Sequence, residues 1–139
     1  MIPDCVFCKI VHGQVPAAKV YEDQAVLAFM DIGPVAKGHT LVIPKTHHDP
    51  ITDTPVEVLC QLITVVQRIA RAQLKALQAD GINVTQANGK PAGQVVPHIH
   101  FHVIPRFASD GHRGNWIPNQ YDSPAEMQAF ADRIRKALA

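Results

Sequence analysis

Between residues 53 and 78, apolar side chains at Val56, Leu59, Cys60, Leu62, Ile63, Val66, Ile69, Ala70, Leu74 and Leu77 return every three or four positions. That interval places them on one face of a helix. Asp53 or Thr54 offers a cap, Pro55 suits a first turn that needs no N–H, and Asp80-Gly81 ends the run. Elsewhere the apolar runs are short and bounded by turn residues. Residues 19–22 and 25–30 read as strands around Asp23-Gln24. Ile32-Gly33-Pro34 then breaks the chain, and Lys37-Gly38 leads into a strand over 39–43 that stops at Pro44. Residues 82–86 and 98–104 give a fourth and a fifth strand, joined by a turn-rich loop over 88–94. Ser123-Pro124-Ala125-Glu126 has the form of a capping box with proline at the first helical position, so a last helix runs to about Leu138. The strands come as neighbours and the helices lie outside their alternation. The pattern predicts an α+β fold: an antiparallel sheet of about five strands, one long central helix and a C-terminal helix.

Composition narrows the class. The chain has 139 residues, 47% of them apolar, which suits a single domain over 1–139 with a real core. A formal charge of +1 without any basic stripe argues against a nucleic-acid partner. No apolar run approaches the roughly 20 residues of a membrane span, and the first residues lack the marks of a secretory signal. Three cysteines do not make a secreted disulfide framework, so a cytoplasmic location is expected.

The chemistry concentrates in His98-Ile99-His100-Phe101-His102, which holds three of the eight histidines. On a strand, alternate residues share a face, so the imidazoles stand together while Ile99, Phe101 and Val103 anchor the other side. Solvated polar residues could equally be Thr, Lys or Glu. Two chemistries fit better. Clustered imidazoles bind transition metals, although hydrolytic zinc sites usually add carboxylates that are scarce here. Alternatively, one neutral imidazole attacks phosphorus while its neighbours steady the phosphoryl oxygens. Gly89 and Gly93 would let backbone N–H groups approach an anion, and Gln94 would add an amide donor.

The run from Ala92 to Arg106 resembles the signature of the histidine triad (HIT) family, three histidines alternating with apolar residues. Cys5-Val6-Phe7-Cys8-Lys9-Ile10, Tyr21-Glu22-Asp23, Leu27-Ala28-Phe29-Met30-Asp31-Ile32 and Gly38-His39-Thr40-Leu41-Val42-Ile43-Pro44-Lys45 follow the same family's order. The resemblance covers about residues 5–106 and leaves 107–139 as a divergent tail. It implies a nucleotide hydrolase that works at the α-phosphate through a covalent nucleotidyl-histidine. His100 would be the nucleophile, with its Nδ1–H on a backbone carbonyl. His102 and Gln94 would hold phosphate oxygens, with Val95 and Val96 also against the nucleotide. His98 and His39 would form a hydrogen-bonded pair, and Asp31 would accept the ribose hydroxyls. Val6, Phe7, Ile10, Phe29, Ile32 and Leu41 would form the base slot, although ordinary core packing also accounts for them. Many members carry Asn where Ala87 stands and Ser or Thr where Val95 stands, which removes two donors.

The resemblance also implies a structural zinc on Cys5, Cys8, His47 and His98, a closed Cys₂His₂ set. No cofactor is expected for catalysis. Cys60 reads as an inert thiol, His12 and His112 as exposed loop residues, and Trp116 as either a cover for the leaving-group side or packing. A purine nucleoside 5′-phosphoramidate is the expected substrate. The alternatives are a dinucleoside polyphosphate, for which Arg106 could serve the longer chain, a regulatory nucleotide-binding module with little turnover, and a zinc-dependent hydrolase. A homodimer is implied, with helix 55–78 and a sheet edge at its interface, where Val65, Val66 and Ala72 face either the core or a partner.

Overall fold

A computed structural model describes residues 2–111 and 117–138. In chain order the elements are α1 (Val6–Val11), β1 (Lys19–Glu22), β2 (Val26–Met30), β3 (Thr40–Pro44), α2 (Val56–Leu77), β4 (Gly81–Thr85), β5 (Phe101–Arg106) and α3 (Pro124–Leu138). The five strands form one antiparallel sheet in the order β1-β2-β3-β5-β4. The expected α+β architecture is therefore present.

Both faces of the central strands are covered, which is why β2 and β3 are buried at every position. Strand alternation sorts the side chains between the two faces. Val26, Ala28, Met30, Val42 and Val103 join Leu62, Val65, Val66, Ile69 and Ala72 of α2 and Ala131 and Ile134 of α3 in the main core. Leu27, Phe29, Leu41 and Ile43 point the other way and pack with Cys5, Phe7, Cys8 and Ile10. Val65, Val66 and Ala72 thus belong to the chain's own core.

Several expectations change in detail. The helix α1 was not anticipated. The fifth strand begins at Phe101 rather than His98, because the Ile99 N–H donates to the His48 carbonyl at 2.7 Å instead of joining the ladder. His39 likewise precedes β3. Neither Asp53 nor Thr54 caps α2: Asp53 closes a 3₁₀ turn (Ile51–Asp53), the Thr54 hydroxyl donates to the Pro50 carbonyl at 2.8 Å, and Pro55 occupies the cap position. On α2 the buried stripe includes Gln73 and leaves Val56, Ile63 and Leu74 exposed. At α3 the Ser123 hydroxyl does cap, accepting the Glu126 N–H at 3.0 Å, but Glu126 accepts from the Asp122 N–H rather than from Ser123. Among the described residues, no helix is long and apolar enough to cross a membrane.

Candidate active site

The site lies on the α1 side of the sheet. Cys5 caps α1 by accepting the Cys8 N–H on its sulfur at 3.4 Å, and the helix then lays Phe7 and Ile10 against Phe29 and Leu41. Between these apolar groups and β5 opens a cavity of about 1190 Å³. Asp31, His39, His100 and His102 line it together with Val6, Phe7, Ile10, Phe29, Ile32, Leu41, Val95 and Val96. Phe7, Ile10, Phe29 and Leu41 are buried core residues as well, whereas Ile32 and Val95 sit on the rim, 80% and 87% exposed. His102 is held in mid-sheet between Leu41 on β3 and Thr85 on β4.

Backbone partners fix where each imidazole carries its proton. A carbonyl can only accept, so the His100 Nδ1, 2.7 Å from the His98 oxygen, must be the protonated nitrogen. Nε2 of His100 then keeps its lone pair. His98 donates Nε2–H to the Pro44 carbonyl at 2.9 Å, which leaves its Nδ1 unprotonated and 3.3 Å from the Cys5 sulfur. In His39 the order is reversed. The Val35 N–H donates to Nδ1 at 3.1 Å, so Nε2 bears the proton and donates to Nδ1 of His102 at 2.9 Å. His102 must then carry its own proton on Nε2.

This pairing corrects one expectation: His39 is bonded to His102, not to His98. The antiparallel register puts Leu41 opposite His102, so His98 falls at the far end of β3, beside Pro44. Burial first, and neighbouring imidazoles second, hold His39 down to about 3 and His102 down to about 4. Burial likewise lowers His100, and holds His98 down to about 4. All four rings are therefore neutral near pH 7. Asp31 is pushed up by burial, accepts the Gly33 N–H on Oδ1 at 2.8 Å and places Oδ2 3.5 Å from His39 Nε2.

Gln94 stands outside the cavity lining. Its amide nitrogen donates to Asp49 Oδ1 at 2.7 Å and to the Val96 carbonyl at 2.9 Å, while its oxygen accepts the Gly89 N–H at 2.6 Å. With both amide hydrogens committed, it organises the loop rather than presenting a free donor. Arg106 bonds Asp110 at 2.8 Å and does not line the cavity either.

Beside the site, Cys5, Cys8, His47 and His98 bring one donor atom each within 4.8 Å of the others. Cys8 Sγ lies 3.4 Å from His47 Nδ1 and 3.7 Å from His98 Nδ1. Asp31, His39 and His102 also cluster, but His39 offers no lone pair there while its Nδ1 accepts from Val35. Cys60 is exposed on α2 and His12 is exposed after α1, whereas His48 contributes its carbonyl to Ile99. His112 and Trp116 lie outside the described residues.

Comparison with known proteins gives the family. The HIT domain family matches residues 12–109. The chain belongs to the HIT family. Among its HIT relatives, the adenosine 5′-monophosphoramidase of Schizosaccharomyces pombe is 38% identical over 134 residues, 96% of this chain and 98% of that one. An Arabidopsis thaliana adenylylsulfatase is 43% identical over 107 residues, covering 77% of this chain and 54% of the plant protein. A zinc-bound HIT protein of Mycobacterium smegmatis superposes with a TM-score of 0.88 at 43% identity, over 97% of this chain and 93% of that one. HIT relatives thus include enzymes that act on nucleotides.

The sequence reading missed two groups, one that sets a tautomer in this HIT site and one that bonds the backbone next to it. The backbone N–H of Val35, which sets the His39 tautomer, left no side-chain signal. Gln73 did leave one: it is a polar residue four positions from both Ile69 and Leu77 on an apolar stripe.

Proposed function

We propose that the chain is a nucleotide hydrolase that attacks the α-phosphate with Nε2 of His100 and takes purine nucleoside 5′-phosphoramidates. The observation that carries this reading is the His98 carbonyl on His100 Nδ1–H at 2.7 Å, which leaves Nε2 unprotonated in a ring that lines the cavity. Burial favours the neutral ring as well. A lone pair on a neutral imidazole is the form needed for nucleophilic catalysis.

In the first step Nε2 bonds to phosphorus and the P–N bond to the leaving amine breaks. In the second step water breaks the P–Nε2 bond. Over both steps one water is consumed, its hydroxyl ending on phosphorus and its proton on the amine. His102, with its proton on Nε2, would donate to a phosphoryl oxygen, and Asp31 would accept ribose hydroxyls. The apolar wall of Val6, Phe7, Ile10, Phe29, Ile32 and Leu41 would take the base. Among the described residues the cavity lining holds neither Lys nor Arg. That favours an uncharged or cationic leaving group over an anionic polyphosphate.

The four donors Cys5, Cys8, His47 and His98 fit a structural zinc. Tetrahedral geometry with the usual bond lengths separates S and N ligands by about 3.6 Å, and the S···N distances of 3.3, 3.4 and 3.7 Å bracket that value. A closed set of this kind supplies folding energy rather than chemistry. We also propose a homodimer, supported by the half-exposed edge strand β4 and by the exposed Ile63 and Val84.

The test is AMP release from adenosine 5′-phosphoramidate and, separately, from a diadenosine polyphosphate, by the wild type and by His100→Ala. Fast release from the first, with loss in the variant and an adenylyl adduct on His100 after quenching, is the expected result. Faster release from the polyphosphate would move the substrate assignment. Equal, slow rates for wild type and variant that still bind AMP would leave a nucleotide-binding module.

A further inference from the structure

Gln73 is fully buried one turn before the end of α2, on the face turned to the sheet and away from the cavity. Its amide nitrogen donates to the Gly38 carbonyl at 3.0 Å and to the Val103 carbonyl at 2.9 Å. Two carbonyl partners require the NH₂ end there, so the assignment of the amide is unambiguous. The Oε1 atom is left with no partner among the described residues. An orphaned buried acceptor is costly, so a polar side chain at this position needs a reason.

The reason lies in what the two carbonyls adjoin. Gly38 immediately precedes His39, and Val103 immediately follows His102. The β3–β5 ladder ends at the Thr40 and Val103 pair, so no strand pairing fixes Gly38 against β5. Gln73 supplies that tie from beneath the sheet. The other side-chain hydrogen bonds to Gly38 come from outside β5: its N–H donates to the Tyr121 hydroxyl at 3.0 Å, and its carbonyl also accepts from the Thr40 hydroxyl at 2.9 Å.

We propose that Gln73 is a positioning residue, tying Gly38 to Val103 and so setting the spacing of His39 and His102. Through that contact it keeps the His102 proton on Nε2. The activity arm of the test rests on the hydrolase reading above, whereas the spectroscopic arm does not.

The experiment compares wild type, Gln73→Met and Gln73→Glu as full-length, metal-loaded chains. Methionine keeps the length and removes both donors. A buried neutral glutamic acid keeps the shape and one donor. Nitrogen-15 correlation spectra of the imidazoles read the His39–His102 proton directly. We expect its exchange with water to accelerate at least tenfold in Gln73→Met and to fall between the two in Gln73→Glu. AMP release should show kcat lowered by about 10–100-fold with KM within about twofold, the scale of a displacement near 1 Å. Thermal stability of Gln73→Met should change little, since the orphaned oxygen is gone while the Gly38 and Val103 carbonyls each lose a donor.

A Gln73→Met protein with a wild-type imidazole proton signal overturns the proposal. So does a kcat loss that merely tracks an equal loss of folded protein, as does a Gln73→Glu variant no better than methionine. If wild type releases no AMP, the hydrolase reading fails, and the proton signal alone still decides the role of Gln73.

Discussion

Gly38→Ala offers a measurement whose size follows from two separable causes. Gly38 has φ +106°, a conformation that an L side chain resists at about 1–2 kcal/mol. A Cβ placed there would also stand 2.4 Å from Leu77 Cδ1 and 3.2 Å from Pro105 Cγ. Leu77 is buried in the main core and Pro105 lies in β5, so relief means repacking, at about 1–3 kcal/mol. The sum is about 2–5 kcal/mol. Gly93 provides the control: its φ is +95°, yet a Cβ there would meet no heavy atom within 4 Å. Gly93→Ala should therefore lose only the backbone share, about 1–2 kcal/mol. Urea unfolding followed by far-ultraviolet circular dichroism gives both values, and their difference isolates the clash. If the two variants are equally stable, the Leu77 methyl swings aside without cost and the packing reasoning is wrong.

Acid should weaken the fold in a defined window. His39 and His102 are held down to about 3 and about 4, whereas unfolded histidine takes its proton near 6.5. Their contribution is complete above about pH 6.5 and declines as pH falls toward 4, by up to about 1.4 kcal/mol per pH unit each. Urea midpoints at pH 7 and pH 5 should differ accordingly, and identical midpoints would refute the neutral-pair reading. Removing zinc with a strong chelator should lower the melting temperature and leave the sheet's spectrum intact on return of the metal; no shift in melting would count against the Cys5, Cys8, His47 and His98 site. Ile69→Ala, at a fully buried position of α2, should cost about 2–5 kcal/mol. Cys60→Ser, on the exposed side of the same helix, should stay within about 0.5 kcal/mol.

The side of the sheet that carries His100 and His102 was legible from alternation alone, because Phe101 and Val103 had to enter the core. The apolar wall of Phe7, Ile10, Phe29 and Leu41 was legible only through family resemblance. By pattern, α1 is too short to show a period, being six residues long. The start of β5 was misread because an unbroken run of alternating residues says nothing about where each N–H finds its acceptor. Ile99 finds His48, outside the sheet. Gln94 looked like a free donor since its partner Asp49 lies 45 residues away. The His39 and His102 pair depends on register, which neither strand reveals by itself. Gln73 was visible as a polar residue on an apolar stripe, but its purpose emerges only when Gly38 and Val103 are seen on either side of it.

The charge inventory of the cavity has a kinetic meaning. Among the described lining residues Asp31 alone carries a formal charge near neutrality, and the whole chain carries only +1. The anionic nucleotide proposed above would therefore gain little long-range attraction from the described residues, and its encounter would rest on diffusion and shape. Turnover should then be nearly flat as ionic strength rises, since there is little attraction for salt to screen. The same neutrality would work on the way out: under the function proposed above, a departing monophosphate would meet no Lys or Arg among the described lining residues, so little electrostatic attraction would slow its release.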